Sequence, residues 1–153
     1  MADPDDVERV RARLGREPQA EFDVVVRAPD GAPVVIRNAA FLTDGTPLPT
    51  RYWLVDPDLT RSVSRLEAAG GVRAAQAEIG LERIAEAHDR YAAERDATIP
   101  PGYAGPRPSG GVGGTRVGVK CLHAHYAAFL AGTDDPVGQW VEARLPAAAE
   151  GNA

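Results

Sequence analysis

The chain has 153 residues, 44% of them hydrophobic, and a formal net charge of −5 at pH 7. This length suits a single domain, and the acidic balance argues against non-specific nucleic-acid binding, which depends on a basic surface. One cysteine cannot form an internal disulfide framework, and no apolar run approaches the ~18 residues of a membrane span. We therefore expect a cytoplasmic protein with neither a membrane nor a non-specific nucleic-acid partner.

The first part of the chain predicts one helix followed by strands. Asp3-Pro4 is typical of a helix start, and the apolar spacing behind it predicts a helix over residues 4–14. Alternating apolar residues bounded by turn signals predict three strands, near residues 21–27, 34–36 and 50–55. The turns between them are short, which favours an antiparallel meander over parallel βαβ units.

The rest of the chain is predominantly helical. Asp56-Pro57 repeats the helix-start signal. The spacing of apolar residues indicates helices over residues 57–70, 72–97 with a break at Gly80, 119–131 and 137–145. We predict one α+β domain over residues 1–146, in which a small antiparallel sheet of about three strands (residues 21–55) packs against four to five helices. Residues 147–153 are predicted to be a disordered tail.

A long Gly/Pro-rich loop at residues 99–118 interrupts the helices. A loop above ~12 residues in a compact domain is usually functional or disordered, so this one is either an arm leading into a site or a flexible linker. It runs into a stretch that holds the only cysteine, the only lysine and two of the three histidines. That stretch, residues 110–125, is therefore the candidate site.

The first chemistry that this stretch suggests is anion binding. A glycine-rich loop that leads into a helix start offers unpaired backbone N–H groups and a positive dipole end to an anion. The expected ligand-binding residues are Gly113, Gly114, Arg116, Lys120 and His123. The stretch is not a P-loop, because the lysine stands one residue late and no hydroxyl follows it. The alternative is that the glycines serve only the turns of the loop.

The second chemistry is nucleophilic catalysis. On a helix at about 100° per residue, Cys121 and His125 share one flank, and Lys120 and His123 share the other. A cysteine near a helix start and beside a lysine has the surroundings of a reactive thiolate, and a nearby base completes the minimum for catalysis. We take Cys121 and His125 as the candidate catalytic pair and leave open whether the protein is an enzyme. The alternatives are a strand, on which the cysteine and both histidines would point one way, and a small buried cysteine.

The third chemistry is metal binding. Cys121 and His125, four residues apart, would coordinate a zinc ion if His123, His88 or Asp134 supplied the remaining ligands. A structural zinc site usually has four ligands, which occur as two pairs of residues closely spaced in the sequence, and this sequence has one such pair. We therefore predict no metal and no other cofactor, with zinc at this pair as the minor alternative. His88 lies on an apolar helix face, which favours a core-edge histidine bonded to a neighbour.

Three stretches resemble the actinobacterial domain-of-unknown-function family five hundred and one. They are residues 44–54 (DGTPLPTRYWL), 63–71 (VSRLEAAGG) and 119–123 (VKCLH). The resemblance covers the chain from about Val7 to Leu145 and implies no catalytic residues, because no activity is established for the family. Its genes commonly neighbour those of enolase, a septum-formation initiator and an exopolyphosphatase, which implies by association a role in cell division or phosphate metabolism.

The expected function is binding of a small anionic ligand, bearing phosphate or carboxylate, at residues 110–125, with Cys/His chemistry as an addition. The alternative is a non-catalytic protein–protein interaction module linked to cell division or phosphate metabolism. Tyr52, Trp53, Trp140 and the Pro-rich arm would form its groove, although strand and helix periodicity assigns these aromatic residues to the core.

Overall fold

A computed structural model describes residues 2–146, and the predicted tail at 147–153 lies outside the described residues. The fold is α+β, as predicted, with a three-stranded sheet and six helices in residues 2–146. The strands are β1 Phe22–Arg27, β2 Pro33–Asn38 and β3 Tyr52–Leu54. The helices are α1 Pro4–Leu14, α2 Pro57–Ala68, α3 Gly71–Ile79, α4 Leu81–Asp96, α5 Leu122–Leu130 and α6 Pro136–Arg144. None of these helices is long and apolar enough to cross a membrane.

The helix boundaries follow from local backbone chemistry. The helix predicted over residues 72–97 is divided into α3 and α4 at Gly80, whose φ of 91° and ψ of 147° end the first helix, so one more helix forms than predicted. Helices α1, α2 and α6 each begin at an Asp-Pro pair. The side chains of Asp3, Asp56 and Asp135 accept hydrogen bonds from first-turn N–H groups at 2.8 to 3.0 Å.

The sheet is the predicted antiparallel meander, with strand order β1-β2-β3. Val24 of β1 pairs with Ile36 of β2, and Val35 of β2 pairs with Leu54 of β3. Gly31, with φ of 87°, supplies the left-handed position in the turn of the first hairpin. Strand β3 is therefore an edge of the described sheet, next to the helices that follow it in the chain.

The sheet lies between α1 and the pair α4 and α5. On one face Val10 of α1 packs with Ile36, and on the other Val35 packs with Tyr91 of α4 and Ala127 of α5. Burial raises the pKa of Tyr91 to about 12, so its hydroxyl stays neutral at physiological pH. This hydroxyl accepts hydrogen bonds from two backbone N–H groups at the start of β3 and fixes that strand against α4.

Helix α5 is the centre of the helical layer. Its alanines face the sheet, while Leu122 and Tyr126 pack with Val137 and Trp140 of α6. A helix that is apolar on all sides is a buried helix, which explains the sequence LHAHYAAFL. Tyr52 and Trp140 are 6% and 8% exposed, so their assignment to the core, and not to a partner groove, is confirmed.

An ion pair fixes α1 to the sheet. Arg27 of β1 donates two hydrogen bonds to the nearly buried Asp6 carboxylate, at 2.6 and 3.0 Å. These hydrogen bonds outweigh the opposing effect of burial and, with the charges of Arg27 and Arg9, lower the pKa of Asp6. Because the pKa is lower in the folded state than in the unfolded one, the stabilisation is complete above the unfolded value of about 3.9 and disappears as pH falls through the folded value.

Replacing Asp6 by asparagine is expected to lower the free energy of unfolding at pH 7 and to flatten its fall below about pH 4. Urea unfolding at a series of pH values measures both effects. Asp5→Asn removes the same charge from an exposed neighbour on α1 and should keep the steep acid dependence. Parallel pH curves for the two variants would contradict this role of Asp6.

Candidate functional site

The glycine-rich segment at residues 110–118 is held against α4 by His88. The Nδ1 of His88 accepts a hydrogen bond from the Val112 N–H at 3.1 Å, and its Nε2–H donates to the Gly118 carbonyl at 2.7 Å. The backbone N–H can only donate, so it fixes this tautomer. The prediction of a core-edge histidine bonded to its neighbours is confirmed. Gly111 is required at this contact, because a Cβ there would lie 2.5 Å from the His88 Cβ.

Arg95 and Gln76 anchor the two ends of the same segment. The Arg95 side chain is 2% exposed, and its guanidinium donates to the carbonyls of Gly110 at 3.0 Å and Pro49 at 3.1 Å. At the other end, the Gln76 Oε1 accepts a hydrogen bond from the Val119 N–H at 3.0 Å. The last part of the predicted long loop is thus tied to α3, to α4 and to the chain before β3.

Helix α5 begins at Leu122, three residues later than the predicted start at Val119. Gly118 has φ of 72°, and Cys121 is extended with φ of −149° and ψ of 157°. The carboxylate of Glu67 on α2 accepts a hydrogen bond from the Leu122 N–H at 2.7 Å and caps the helix at that residue. The start of α5 is therefore set by a tertiary contact.

His125 lies in the core, where its ring centre is 5.6 Å from that of His88. It is 1% exposed, and its Nδ1–H donates to Asp135 Oδ2 at 2.8 Å. Its Nε2 has no hydrogen-bond partner among residues 2–146. The sequence predicted that Cys121 and His125 share one flank of a helix and that Lys120 and His123 share the other. This prediction is wrong, because the helix begins after the cysteine. The catalytic pair and the zinc alternative based on that flank lose their geometric basis.

Cys121 lies instead with His123 and Glu67. One donor atom from each side chain, a sulfur, a nitrogen and an oxygen, lies within 4.8 Å of the other two. The His123 Nδ1 is 3.0 Å from Glu67 Oε2, and its Nε2 is 3.2 Å from both Ser64 Oγ and the Thr60 carbonyl. The thiol, imidazole and carboxylate are each half-buried, so solvent and small molecules reach them.

A cavity of about 310 Å³ opens beside this cluster, between the end of α1, β3 and the start of α5. Trp53 and Leu14 contribute to its apolar floor, and Arg16 and Lys120 are its cationic groups. The Arg16 guanidinium lies over the Trp53 ring, 5.3 Å from the ring centre. The Lys120 Nζ donates to the Gly113 carbonyl at 3.3 Å. The cavity therefore joins an aromatic surface to two positive charges.

Not every predicted site residue borders this cavity. Those that do are Gly113, Lys120, Cys121 and His123. Gly114 packs elsewhere, and a Cβ at that position would lie 3.3 Å from the ring of Pro49. Arg116 borders a separate cavity of about 290 Å³ next to His88 and Arg95. Two of the five predicted ligand-binding residues are thus separated from the other three.

Arg16, Trp53 and Glu67 are the site residues that sequence reasoning missed. Glu67 stands in one of the three stretches that carry the family resemblance, which is the signal that marks it. The strand pattern predicts a core position for Trp53, and the sequence otherwise suggests it only for a partner groove, whereas its side chain is half-buried beside the cavity. No local pattern marks Arg16. It follows the end of α1, and the packing of α1 against the sheet places it at the cavity.

A larger cavity of about 550 Å³ lies between the strand ends of the first hairpin and the chain near Thr98. Of the described residues that border it, none is a cysteine, a histidine or a lysine. It has two cations, Arg37 and Arg51, and two carboxylates, Glu21 and Asp23. Arg37 pairs with Asp23 at 3.3 Å, so the lining has no excess of positive charge. The smaller cavity is the better candidate, because its cations and reactive groups meet there.

Comparison with protein families gives a match. A search of the curated proteins and a search of the solved structures found none. A family model described as "Protein of unknown function (DUF501)" matches residues 24–143, from β1 to α6. The matched range includes Trp53, Glu67, Lys120, Cys121 and His123, while Arg16 precedes it. Because the match covers well over half of the chain and confirms the resemblance drawn from the sequence, the protein belongs to the DUF501 family.

Proposed function

We propose that this protein binds a small anionic ligand, bearing phosphate or carboxylate, in the cavity beside the start of α5. The observation that carries the proposal is the pair of cationic side chains at this cavity, Arg16 and Lys120. Neither forms an ion pair with a carboxylate in the part of the chain that the structure describes. Two uncompensated positive charges at one cavity of a protein with net charge −5 favour an anionic occupant.

The start of α5 supports the same ligand class. The first N–H groups of a helix have no partner within it, and the aligned peptide dipoles make this end positive. The Glu67 carboxylate accepts a hydrogen bond from the Leu122 N–H. The backbone N–H groups of the next two residues, His123 and Ala124, have no carbonyl four residues earlier within the helix to which they could donate. Both residues border the cavity, so the helix end adds to the field of Lys120.

The cavity floor indicates the rest of the ligand. Trp53, Leu54 and Leu14 provide an apolar surface with one large aromatic ring. Its volume of about 310 Å³ is at the lower end of the ~300–1,000 Å³ typical of small-molecule sites. An anionic group on a ring or a short apolar body fits this combination better than a bare inorganic ion.

Cys/His chemistry at this site would use His123. Cys121 and His123 border the same cavity, whereas His125 is buried against Asp135. A thiol and an imidazole that both face a bound ligand are the groups from which a nucleophile and a base are drawn. Ligand binding alone does not require them.

Lys120→Gln is expected to weaken binding of phenyl phosphate at least about tenfold, because a charge-assisted hydrogen bond contributes ~1.5–3 kcal/mol. A ligand of the folded state raises the melting temperature, so thermal-shift titration gives the affinity. The probes are inorganic phosphate, phenyl phosphate and benzoate, with benzyl alcohol as the uncharged comparison. Phenyl phosphate should bind more tightly than inorganic phosphate because its ring meets Trp53.

Arg116→Gln is the matched control. It removes one positive charge from the same stretch of chain, residues 110–125, but Arg116 borders the other cavity, so probe affinity should stay at the wild-type value. Equal losses in the two variants would show a general charge effect and contradict a site at Lys120. Failure of every anionic probe to raise the melting temperature of the wild-type protein would contradict the proposal itself.

We also propose a cytoplasmic location. It is supported by Cys121, which is a free thiol and the only cysteine in the chain. Reducing compartments favour chains without disulfides.

A further inference from the structure

We propose that Glu67, Cys121 and His123 form a binding site for one zinc-class divalent metal ion. Their donor atoms lie within 4.8 Å of one another, and coordination at ~2.0–2.3 Å from each donor requires only small side-chain movements. The proposal goes beyond anion binding and does not depend on it, because neither Lys120 nor Arg16 is a metal ligand.

Two acceptor oxygens lie against the imidazole of His123, an arrangement that an imidazolium or a neutral imidazole bound to a metal satisfies. Its Nδ1 is 3.0 Å from a Glu67 oxygen and its Nε2 is 3.2 Å from the Thr60 carbonyl, and both of these oxygens are acceptors. A neutral imidazole has one N–H and can satisfy only one of them. If Nε2–H donates to Thr60, Nδ1 keeps a lone pair for a metal, and a backbone carbonyl on the second nitrogen is the usual support of a ligating histidine.

Ser64 offers the competing arrangement. Its Oγ also lies 3.2 Å from the His123 Nε2. A hydroxyl that donates to Nε2 would leave the proton on Nδ1, bonded to Glu67, and Nδ1 would then have no lone pair for a metal. The two arrangements predict different results when a metal is added. Only the first lets His123 Nδ1 bind the metal together with the Cys121 sulfur, and the resulting thiolate–metal bond can be observed.

The cluster is held in place by the helices that carry it. Glu67 lies on α2 and is fixed by the Leu122 N–H at 2.7 Å, while His123 lies in the first turn of α5. Val63 of α2 and Leu122 of α5 are fully buried in the same core cluster. Side chains on packed helices keep their relative positions better than those on loops, so Glu67 and His123 are preorganised. Cys121 adjoins α5 as its N-cap residue.

The donor set indicates the metal class. One sulfur, one nitrogen and one oxygen donor suit zinc and its neighbours, whereas magnesium and calcium prefer oxygen alone. Three protein ligands leave a fourth tetrahedral position, as in catalytic zinc sites. Cys121 and His123 border the cavity, so a fourth ligand would enter from that side.

Cobalt titration of the reduced, full-length protein tests the site. Co²⁺ should saturate at one ion per chain and give the charge-transfer absorption of a thiolate–cobalt bond. Cys121→Ser should abolish that absorption. Glu67→Gln and His123→Gln should weaken cobalt binding by at least roughly tenfold, the loss that even an outer-shell partner causes. Glutamine at position 67 keeps an acceptor oxygen for the Leu122 N–H, so α5 remains capped.

Lys120→Gln is the control for independence from the anion site and should keep the wild-type cobalt spectrum. Circular dichroism of each variant verifies that it is folded. No saturable cobalt absorption in the wild-type protein, or an unchanged absorption in Cys121→Ser, would overturn the metal site. If the protein binds cobalt but not phenyl phosphate, the metal site is supported and the proposed anion function is contradicted. If it binds phenyl phosphate but not cobalt, the anion function is supported and the metal site is contradicted.

Discussion

Replacing Arg95 by methionine is expected to destabilise the fold by about 3 kcal/mol. The Arg95 guanidinium donates charge-assisted hydrogen bonds to the carbonyls of Gly110 and Pro49, each worth ~1.5–3 kcal/mol. Relief of burying a charge offsets part of this loss, and methionine keeps most of the volume of the stem. For a chain of this size, the melting temperature should fall by roughly 6–12 °C.

Arg83→Met is the comparison for this variant. Arg83 lies on the exposed side of the same helix, α4, where substitutions usually change stability by less than ~0.5 kcal/mol. Urea unfolding of both variants gives the two free energies. Equal values would contradict the role of Arg95 as an anchor. Because Pro49 adjoins Thr50, which borders the candidate cavity, Arg95→Met should also weaken phenyl phosphate binding.

Gly138→Ala is expected to destabilise the protein by about 2 kcal/mol, although alanine is the better helix former by ~1 kcal/mol. Gly138 lies in α6 where this helix crosses α5. An added Cβ would overlap the side chain of Phe129 and lie 2.7 Å from the His125 carbonyl. Overpacking of this kind costs typically ~1–3 kcal/mol, and more where backbone cannot move. The steric cost therefore exceeds the gain in helix propensity.

Gln139→Ala distinguishes packing from propensity. Gln139 is the next residue of α6 and is exposed, so alanine there should be neutral or slightly stabilising in thermal and urea unfolding. A Gly138→Ala variant as stable as the wild-type protein would show that α5 and α6 can separate without cost. The position of α5 would then be less firmly fixed than the cavity beside its first turn requires.

The parts of the fold with local signals could be predicted from the sequence. The three Asp-Pro pairs, at residues 3–4, 56–57 and 135–136, each start a helix because the aspartate side chain bonds to N–H groups two or three residues ahead. The hairpin follows from alternating residues and from Gly31 in its turn. Gly80 divides a helical pattern for a local reason too, since its backbone leaves the helical region.

The start of α5 could not be predicted in this way. Cys121 is its N-cap, but its side chain makes no capping hydrogen bond. The cap is the Glu67 carboxylate, which bonds to Leu122 across 55 positions of sequence. Helical periodicity placed Cys121 inside a helix that begins one residue later, and this error produced the wrong partner for the thiol.

The two histidines of α5 show the same limit. His123 and His125 stand in an apolar helix that is covered on both sides, so no amphipathic stripe separates a buried position from an accessible one. Their surroundings come from other elements, Glu67 on α2 for His123 and Asp135 before α6 for His125. Only the packing of these helices shows which imidazole faces the cavity.

Chemical-shift mapping by NMR tests the central claim most directly, that the cavity beside the start of α5 is the ligand site. The uniformly ¹⁵N-labelled chain is titrated with phenyl phosphate, and its backbone amide and indole signals are followed. We predict that the largest shifts belong to the Trp53 indole and the amides of Gly113, Cys121 and Ala124, and that Arg116 changes little. Shifts centred on Arg116, or on Arg37 and the larger cavity, would contradict the account.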